Sequence, residues 1–177
     1  IGYGPRLEED FFSMFEDRFT GWQAWPQREA IAGLGHPGVY VCALADEAFD
    51  PTAPFAWCRQ IAYIGMTISR GGLRARLGQF DNAVRGRTGH KGADRVRCLY
   101  PDYASVVRAL YVAVAPFPCD VASHQPSDLE VMGEVAQFEY RCLAEHARAV
   151  GGLPEFNDEK KPPKATAAFG RQVATLY

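Results

Sequence analysis

The chain has 177 residues, of which 47% are hydrophobic and 23% are charged, and its net charge at pH 7 is −2. This composition is typical of one globular domain, and it excludes a chain that is disordered over most of its length. No apolar run reaches the ~20 residues that span a bilayer, and no secretory pattern opens the chain, so we expect a cytoplasmic protein with no membrane partner. The five cysteines have no Cys-x-x-Cys spacing, which favours reduced thiols over a zinc knuckle or a disulfide framework.

Charge is distributed unevenly along the sequence. Between Arg59 and Arg97 lie nine Arg or Lys residues and two acids, so this block carries +7 and the rest of the chain −9. A basic block in an otherwise acidic chain indicates a face that binds a polyanion, although a solvated helix surface would have the same pattern. The candidate nucleic-acid contacts within the block are Arg70, Arg74, Arg85, Arg87 and Lys91.

The N-terminal half predicts helices followed by two strands. Aromatic residues recur at helical spacing over residues 7–19, and a second, short helix is expected over residues 27–34, so residues 1–36 form a helical extension. The apolar, β-branched run from Gly38 to Leu44 predicts a buried strand, and Gln60 to Ile64 predicts another, ended by Gly65. Because no helix separates these two strands, they should pair antiparallel.

The C-terminal half predicts two further helices and a third strand. A helix after Gly72 places Leu73, Leu77, Phe80 and Val84 on one face. A glycine-rich basic turn covers residues 86–92, and residues 105–116 begin as a helical turn and end as a strand. Ser127 and Glu130 form a capping box before a long helix that ends at Gly151. This order predicts a small mixed α/β domain over residues 37–160, followed by a tail over 161–177.

Several motifs follow one another in these elements. Gly38-Val39-Tyr40 lies in the first strand, Tyr63-Ile64-Gly65 at the end of the second, Leu73-x-x-Arg76-Leu77 in the next helix, Glu139 in the long helix, and Pro154-x-x-Asn157 after it. In this order the chain resembles the GIY-YIG nuclease family over residues 38–157. The resemblance implies an α+β fold with a three-stranded antiparallel sheet flanked by helices. It also implies an endonuclease that hydrolyses DNA with a metal ion, two tyrosines, an arginine and a glutamate.

These residue types suit phosphodiester hydrolysis. An arginine can bond two phosphate oxygens at once, and a single carboxylate with water ligands is a usual site for Mg²⁺ or Mn²⁺. We therefore expect Arg76 to hold the scissile phosphate, Glu139 to hold the metal, Tyr40 to activate or position water beside Tyr63, and Asn157 to contact nucleic acid near the site. The alternatives are a Glu139 paired with a structural arginine, tyrosines and an Asn157 with only structural roles, and Glu145 as the metal ligand.

Glu139 is the acid of the long helix that packing does not explain. It projects from the apolar side, where an unpaired carboxylate is costly, whereas Glu145 lies on the polar side. The residues expected on that apolar side are Leu129, Met132, Val135, Ala136, Tyr140, Cys142, Leu143 and Ala147.

The chain departs from the family pattern at Phe80, where relatives have a His or Tyr that can exchange a proton. We expect His90, in the glycine-rich turn, to replace it as a general base with a pKa near ~6.5, the alternative being an exposed loop histidine.

The insertion over residues 46–57 is expected to lie over a DNA groove. Stand-alone restriction, defence or toxin-type nucleases fit the chain best. A catalytically impaired nucleic-acid-binding module and an RNA-cleaving nuclease remain the alternatives.

Overall fold

The structure, a computed structural model, describes residues 15–87 and 89–158. Its elements in chain order are β1 (Gln23–Ala24), a 3-10 helix (Trp25–Ala30), β2 (Gly38–Leu44), β3 (Ile61–Thr67), α1 (Gly72–Val84), α2 (Lys91–Leu99), α3 (Tyr103–Ala109), β4 (Leu110–Pro116) and α4 (Pro126–Val150). Residues 7–14 of the helix expected near the N-terminus, and the whole expected tail, lie outside the described residues. The helix expected over residues 27–34 is instead the 3-10 helix, which begins at Trp25.

The sheet is antiparallel, with strand order β1-β4-β2-β3. The α+β class and the antiparallel pairing of β2 with β3 are confirmed. The expectation of three strands is wrong, because Gln23–Ala24 pairs with Tyr111 and Val112 of β4 and adds a fourth strand. Two residues are too few for a period-2 pattern, which is why the sequence did not predict β1. The strand β3 also continues two residues beyond Gly65, so the second motif lies inside it.

Helices cover both faces of the sheet and create two cores. Tyr40 and Cys42 of β2 face the core that holds the 3-10 helix, α1, α2 and α3, whereas Val39 and Val41 face the core that holds α4. This alternation follows from the period of two along a strand, and β2 is buried on both faces because it lies between β3 and β4. Tyr40 therefore points into the space below α1 and α2.

The helix α4 presents a different face to the sheet from the one expected. Its buried residues are Val135, Phe138, Cys142 and His146. Tyr140 and Leu129 of the expected apolar side are 74% and 49% exposed. The helix also begins two residues early, at Pro126 with Gln125 as its N-cap, so Ser127 is not a cap. Glu139 borders the buried face and is half-buried, since Phe138 takes the central position.

The segment between β2 and β3 packs on aromatic side chains of the N-terminal residues. Phe55 stacks on Phe19 with ring centroids 4.2 Å apart, and Trp22 meets both Phe55 and Phe49 at 5.2 and 5.3 Å. The insertion is thus anchored on the α4 side of the sheet. All five cysteines are free. Within the described part of the chain, every helix is too short or too polar to cross a bilayer.

Candidate active site

The two motif tyrosines lie side by side on one face of the sheet. Tyr40 is fully buried, and its ring centroid lies 5.9 Å from that of Tyr63 on the neighbouring strand. Gly65 is the register partner of Tyr40. A Cβ at Gly65 would lie 2.6 Å from Tyr40 Oη and 2.7 Å from Tyr63 Cε1. The glycine of the second triplet therefore gives both rings the space to meet at this strand.

His90 brings an imidazole to the Tyr40 hydroxyl. It is the N-cap of α2, where its Nδ1 accepts a hydrogen bond from the Ala93 backbone N–H at 3.2 Å and its Nε2 lies 2.6 Å from Tyr40 Oη. Phe80 packs against the imidazole with ring centroids 5.0 Å apart. The sequence placed His90 in a turn, but it is 3% exposed and begins a helix. Proximity to Tyr40 agrees with the expectation, whereas the alternative of an exposed loop residue is wrong.

Arg76 lies at the centre of the charges in this cluster. It is half-buried on α1, its NH1 donates to Gln79 Oε1 at 3.1 Å, and its buried Nε has no hydrogen-bond partner among the described residues. Buried guanidinium nitrogens normally have acceptors. The free Nε therefore leaves Arg76 able to bind an anion that enters the cluster.

Glu139 reaches the same cluster from the opposite face of the sheet. The strand β3 is at the edge of the sheet, and the Met66 backbone amide hydrogen-bonds to the Glu139 carboxylate there. The carboxylate also interacts electrostatically with Arg76 and Tyr63. Glu145, the alternative metal ligand, forms an ion pair with Arg148 instead. The edge of β3 is thus where side chains from both layers of helices meet.

Asn157 pairs with the backbone of the same edge. Its Oδ1 accepts from Ile64 N–H at 2.8 Å and its Nδ2 donates to Ile64 O at 2.7 Å. Phe156 N–H donates to Ala62 O, and Arg95 holds this segment by donating to the carbonyls of Phe156 and Asp158. The carboxamide of Asn157 thus continues the sheet. A contact of Asn157 with nucleic acid stays a prediction, and this pairing does not favour it.

Burial dominates the pKa values of the cluster. It raises the pKa of the Tyr40, Tyr63 and Glu139 side chains, and the positive charge of Arg76 opposes the rise in all three. Burial and Arg76 together lower the pKa of His90 to about 3. His90 is therefore neutral at pH 7, and the expected pKa near ~6.5 does not apply to it.

The structure separates the residues of the basic block. Arg70, Arg74, Arg87 and Lys91 are exposed, but Arg74 forms an ion pair with Glu29 at 3.2 Å. Arg85 donates to Asp81 Oδ2 at 2.7 Å and stacks on the Tyr103 ring at 4.0 Å. Arg70 and Lys91 flank the cluster in sequence, since Arg70 precedes α1 and Lys91 follows His90.

Asp81 is a buried carboxylate that the sequence interpretation missed. Its Oδ1 accepts hydrogen bonds from Trp25 Nε1 and Tyr103 Oη, both at 2.8 Å, and its Oδ2 accepts from Arg85. Trp25 in turn packs on Phe80, the residue behind His90, with ring centroids 5.3 Å apart. The one sequence signal was the spacing of Asp81 and Arg85, four residues apart on α1. Asp81 thus fixes the aromatic residues that support the cluster.

The donor set can be tested against a divalent cation. No group of three His, Cys, Asp or Glu side chains that could enclose a metal occurs in residues 15–87 and 89–158. Glu139 offers one half-buried carboxylate with a hydrogen bond from a single backbone amide. One carboxylate, with water and phosphate oxygens completing the shell, fits Mg²⁺, which retains several waters in phosphate sites. It does not fit a structural zinc ion, which needs four protein ligands.

Comparisons of the chain with models of protein families, with curated proteins and with solved structures found no match.

Proposed function

We propose that this chain is a metal-dependent endonuclease of the GIY-YIG kind that hydrolyses DNA phosphodiester bonds. One observation carries the proposal. Five residues of the chemical types that phosphodiester hydrolysis uses, Tyr40, Tyr63, Arg76, His90 and Glu139, converge from five different elements at the edge of β3. Packing alone gives no reason for an arginine, a carboxylate, two phenols and an imidazole to share one half-buried cluster, because each carries a desolvation cost.

We assign each residue a role from its chemistry and its place in the cluster. Arg76, with its free Nε, binds the non-bridging oxygens of the scissile phosphate and stabilises the charge that they gain in the transition state. The Tyr40 oxygen, beside Tyr63, positions the attacking water. Glu139 holds Mg²⁺ or Mn²⁺, which when bound supplies positive charge for the phosphate and the leaving 3′ oxygen.

The His90 contact favours an active enzyme over an impaired binding module. Phe80 cannot exchange a proton, and its ring packs edge-on against that of Tyr40 with centroids 6.4 Å apart. The imidazole of His90 occupies hydrogen-bonding distance of Tyr40 Oη instead. The loss of a polar residue at position 80 therefore does not leave the phenol without a partner.

Plasmid nicking with and without Mg²⁺ tests the proposal. We expect the wild-type protein to nick supercoiled DNA only with the cation, and Glu139→Gln to abolish nicking. The melting temperature of Glu139→Gln should stay equal or rise, because burial raises the pKa of Glu139 and a neutral amide avoids that cost. Glu134→Gln, on the exposed side of the same helix, is the matched control and should behave as wild type.

Three outcomes would contradict parts of this assignment. Full activity in Glu139→Gln would remove the metal-binding role. Loss of activity in Glu145→Gln would transfer that role to Glu145. Cleavage of labelled RNA, with no nicking of DNA, would replace the substrate class and leave the site assignment intact.

A further inference from the structure

The role of His90 depends on which ring nitrogen carries its proton. A neutral imidazole has one N–H donor and one acceptor nitrogen. Nδ1 faces the backbone N–H of Ala93 at 3.2 Å, and that amide can only donate. Nδ1 is therefore the acceptor nitrogen, as the N-cap position of α2 requires. The proton must lie on Nε2, the nitrogen that is 2.6 Å from Tyr40 Oη.

We infer that His90 donates a hydrogen bond from Nε2 to the Tyr40 oxygen and acts as a positioning residue for it, not as the base that removes the Tyr40 proton. The inference deepens the proposed nuclease function and rests on it. The opposite arrangement would place a proton on Nδ1. Two N–H groups would then face each other, the helix would lose its cap, and the buried Ala93 amide would have no acceptor.

Other groups around Tyr40 agree with a donor role for His90. Burial and Arg76 keep the His90 pKa at about 3, so the ring carries a single proton at neutral pH. The positive charge of Arg76 opposes the effect of burial on Tyr40, but burial dominates and keeps the pKa of Tyr40 well above its usual value. Tyr40 therefore keeps its phenolic proton at neutral pH, and its oxygen accepts the hydrogen bond from His90 Nε2.

The corresponding chemical step is balanced without a proton transfer to His90. Tyr40 keeps its phenolic proton, and its oxygen, held by His90, orients the attacking water. The water oxygen forms a bond to phosphorus and releases a proton to solvent. The bond from phosphorus to the 3′ oxygen breaks, and that oxygen takes a proton from solvent. His90 keeps its Nε2 proton throughout.

The first test is spectroscopic and needs no activity. In protein labelled with ¹⁵N-histidine, NMR distinguishes a protonated from an unprotonated ring nitrogen. We expect the His90 proton on Nε2, with no titration between about pH 5 and 8, where an ordinary histidine titrates. A proton on Nδ1, or a ring that carries both protons at pH 7, would overturn the inference.

The second test uses two amide substitutions that separate the two nitrogens. The Gln side chain places its amide near the position of Nε2 and can donate but is no base, whereas the shorter Asn can cap the helix but is too short to donate to Tyr40. We expect nicking by His90→Gln within about 10-fold of wild type, and by His90→Asn and His90→Ala reduced about 10²-fold, the cost of misplacing a group at the reaction centre by about 1 Å. A folded His90→Gln as inactive as His90→Ala would contradict the donor role.

A double substitution shows whether His90 acts through Tyr40. If it does, His90→Asn should reduce nicking no further in a Tyr40→Phe background, where the phenol oxygen is absent. Additive losses would contradict the inference. An inactive wild-type protein with the proton on Nε2 would instead contradict the nuclease proposal alone, so the two failures are distinguishable.

Discussion

Two glycines determine how closely the aromatic residues of the site can approach one another. Gly65 lies under both motif tyrosines, and Gly92, in the first turn of α2, lies against the Tyr63 ring, where a Cβ would overlap it. Neither position has the positive φ that favours glycine. The requirement is therefore space for a ring, not backbone conformation.

We predict that Gly65→Ala impairs both stability and activity. The added methyl would overlap Tyr40 Oη and Tyr63 Cε1, so the rings must shift, at a cost of about 1–3 kcal/mol in the free energy of unfolding. The nicking rate should fall even where the variant is fully folded, because a displaced Tyr40 loses its contact with His90. Urea unfolding and plasmid nicking measure the two effects.

A matched control is Gly133→Ala, since nothing lies within 4 Å of its added Cβ on α4. Replacing a glycine inside a helix with alanine should stabilise the protein by roughly 0.5–1 kcal/mol. A Gly65→Ala variant that is as stable and active as Gly133→Ala would show that the approach of the rings is unimportant.

Among the elements, the 3-10 helix, α1 and α3 are joined by one carboxylate, that of Asp81. Burial raises the pKa of Asp81, but the hydrogen bonds from Trp25, Arg85 and Tyr103 and the charge of Arg28 outweigh it and lower the pKa overall. A carboxylate with a lowered pKa stabilises the fold above its unfolded pKa of ~3.9, and this contribution disappears as the pH falls through the folded pKa.

We predict that Asp81→Asn reduces stability by about 1–3 kcal/mol at pH 7, the usual value of hydrogen bonds to a charged group. The difference from wild type should shrink as the pH falls from ~3.9 toward the lower folded pKa, because the unfolded chain binds the Asp81 proton before the folded protein does. Urea unfolding at a series of pH values measures this. A difference that is constant across the series would show that the charge of Asp81 contributes nothing.

The elements that the sequence predicted are those with a clear pattern of apolar residues. The strands β2, β3 and β4 and the helices α1 and α4 all have such patterns, and the structure contains them. The helix α2 was missed because few of its residues are apolar and its N-cap is His90, an unusual capping residue. The buried face of α4 was predicted in the wrong place because Tyr140 was counted as an apolar residue, whereas its side chain is exposed in the structure.

For the candidate site, the motifs indicated Tyr40, Tyr63, Arg76 and Glu139, and the structure brings these four together. Because Phe80 cannot exchange a proton, the sequence predicts a substitute in His90, which lies beside Tyr40. Contacts between side chains and backbone could not be predicted, because backbone amides such as that of Met66 are alike at every position. The pairing of Asn157 with Ile64 also depends on where the chain folds back. The pKa of His90 likewise depends on burial, which only the fold determines.

For the whole molecule, the basic block of the sequence is not one continuous face. Arg59 precedes β3, forms an ion pair with Asp46 at 3.7 Å and lines a cavity of about 700 Å³ together with Ser105 and Glu155. Arg85 is exposed, but its guanidinium is paired with the buried carboxylate of Asp81. Arg70 and Lys91 are exposed, Arg70 just before α1, which carries Arg76, and Lys91 directly after His90 at the start of α2. The charges available to a DNA backbone are therefore fewer than the net charge of the block suggests.

We predict that changing Arg70 and Lys91 together to Gln weakens DNA binding for all sequences alike. Phosphate contacts carry no sequence information, and each one contributes about −0.9 to the slope of log K against log salt concentration, so the slope should become less steep by about 1.8.

Arg59→Gln removes a charge of the same block and is the matched control. It should leave the slope unchanged, because Arg59 lies at the other end of β3. Fluorescence anisotropy with a labelled duplex over a range of salt concentrations measures both variants. A change of about 0.9 in the slope for Arg59→Gln would contradict this prediction. It would mean that all charges of the block contribute to DNA binding, wherever the fold places them.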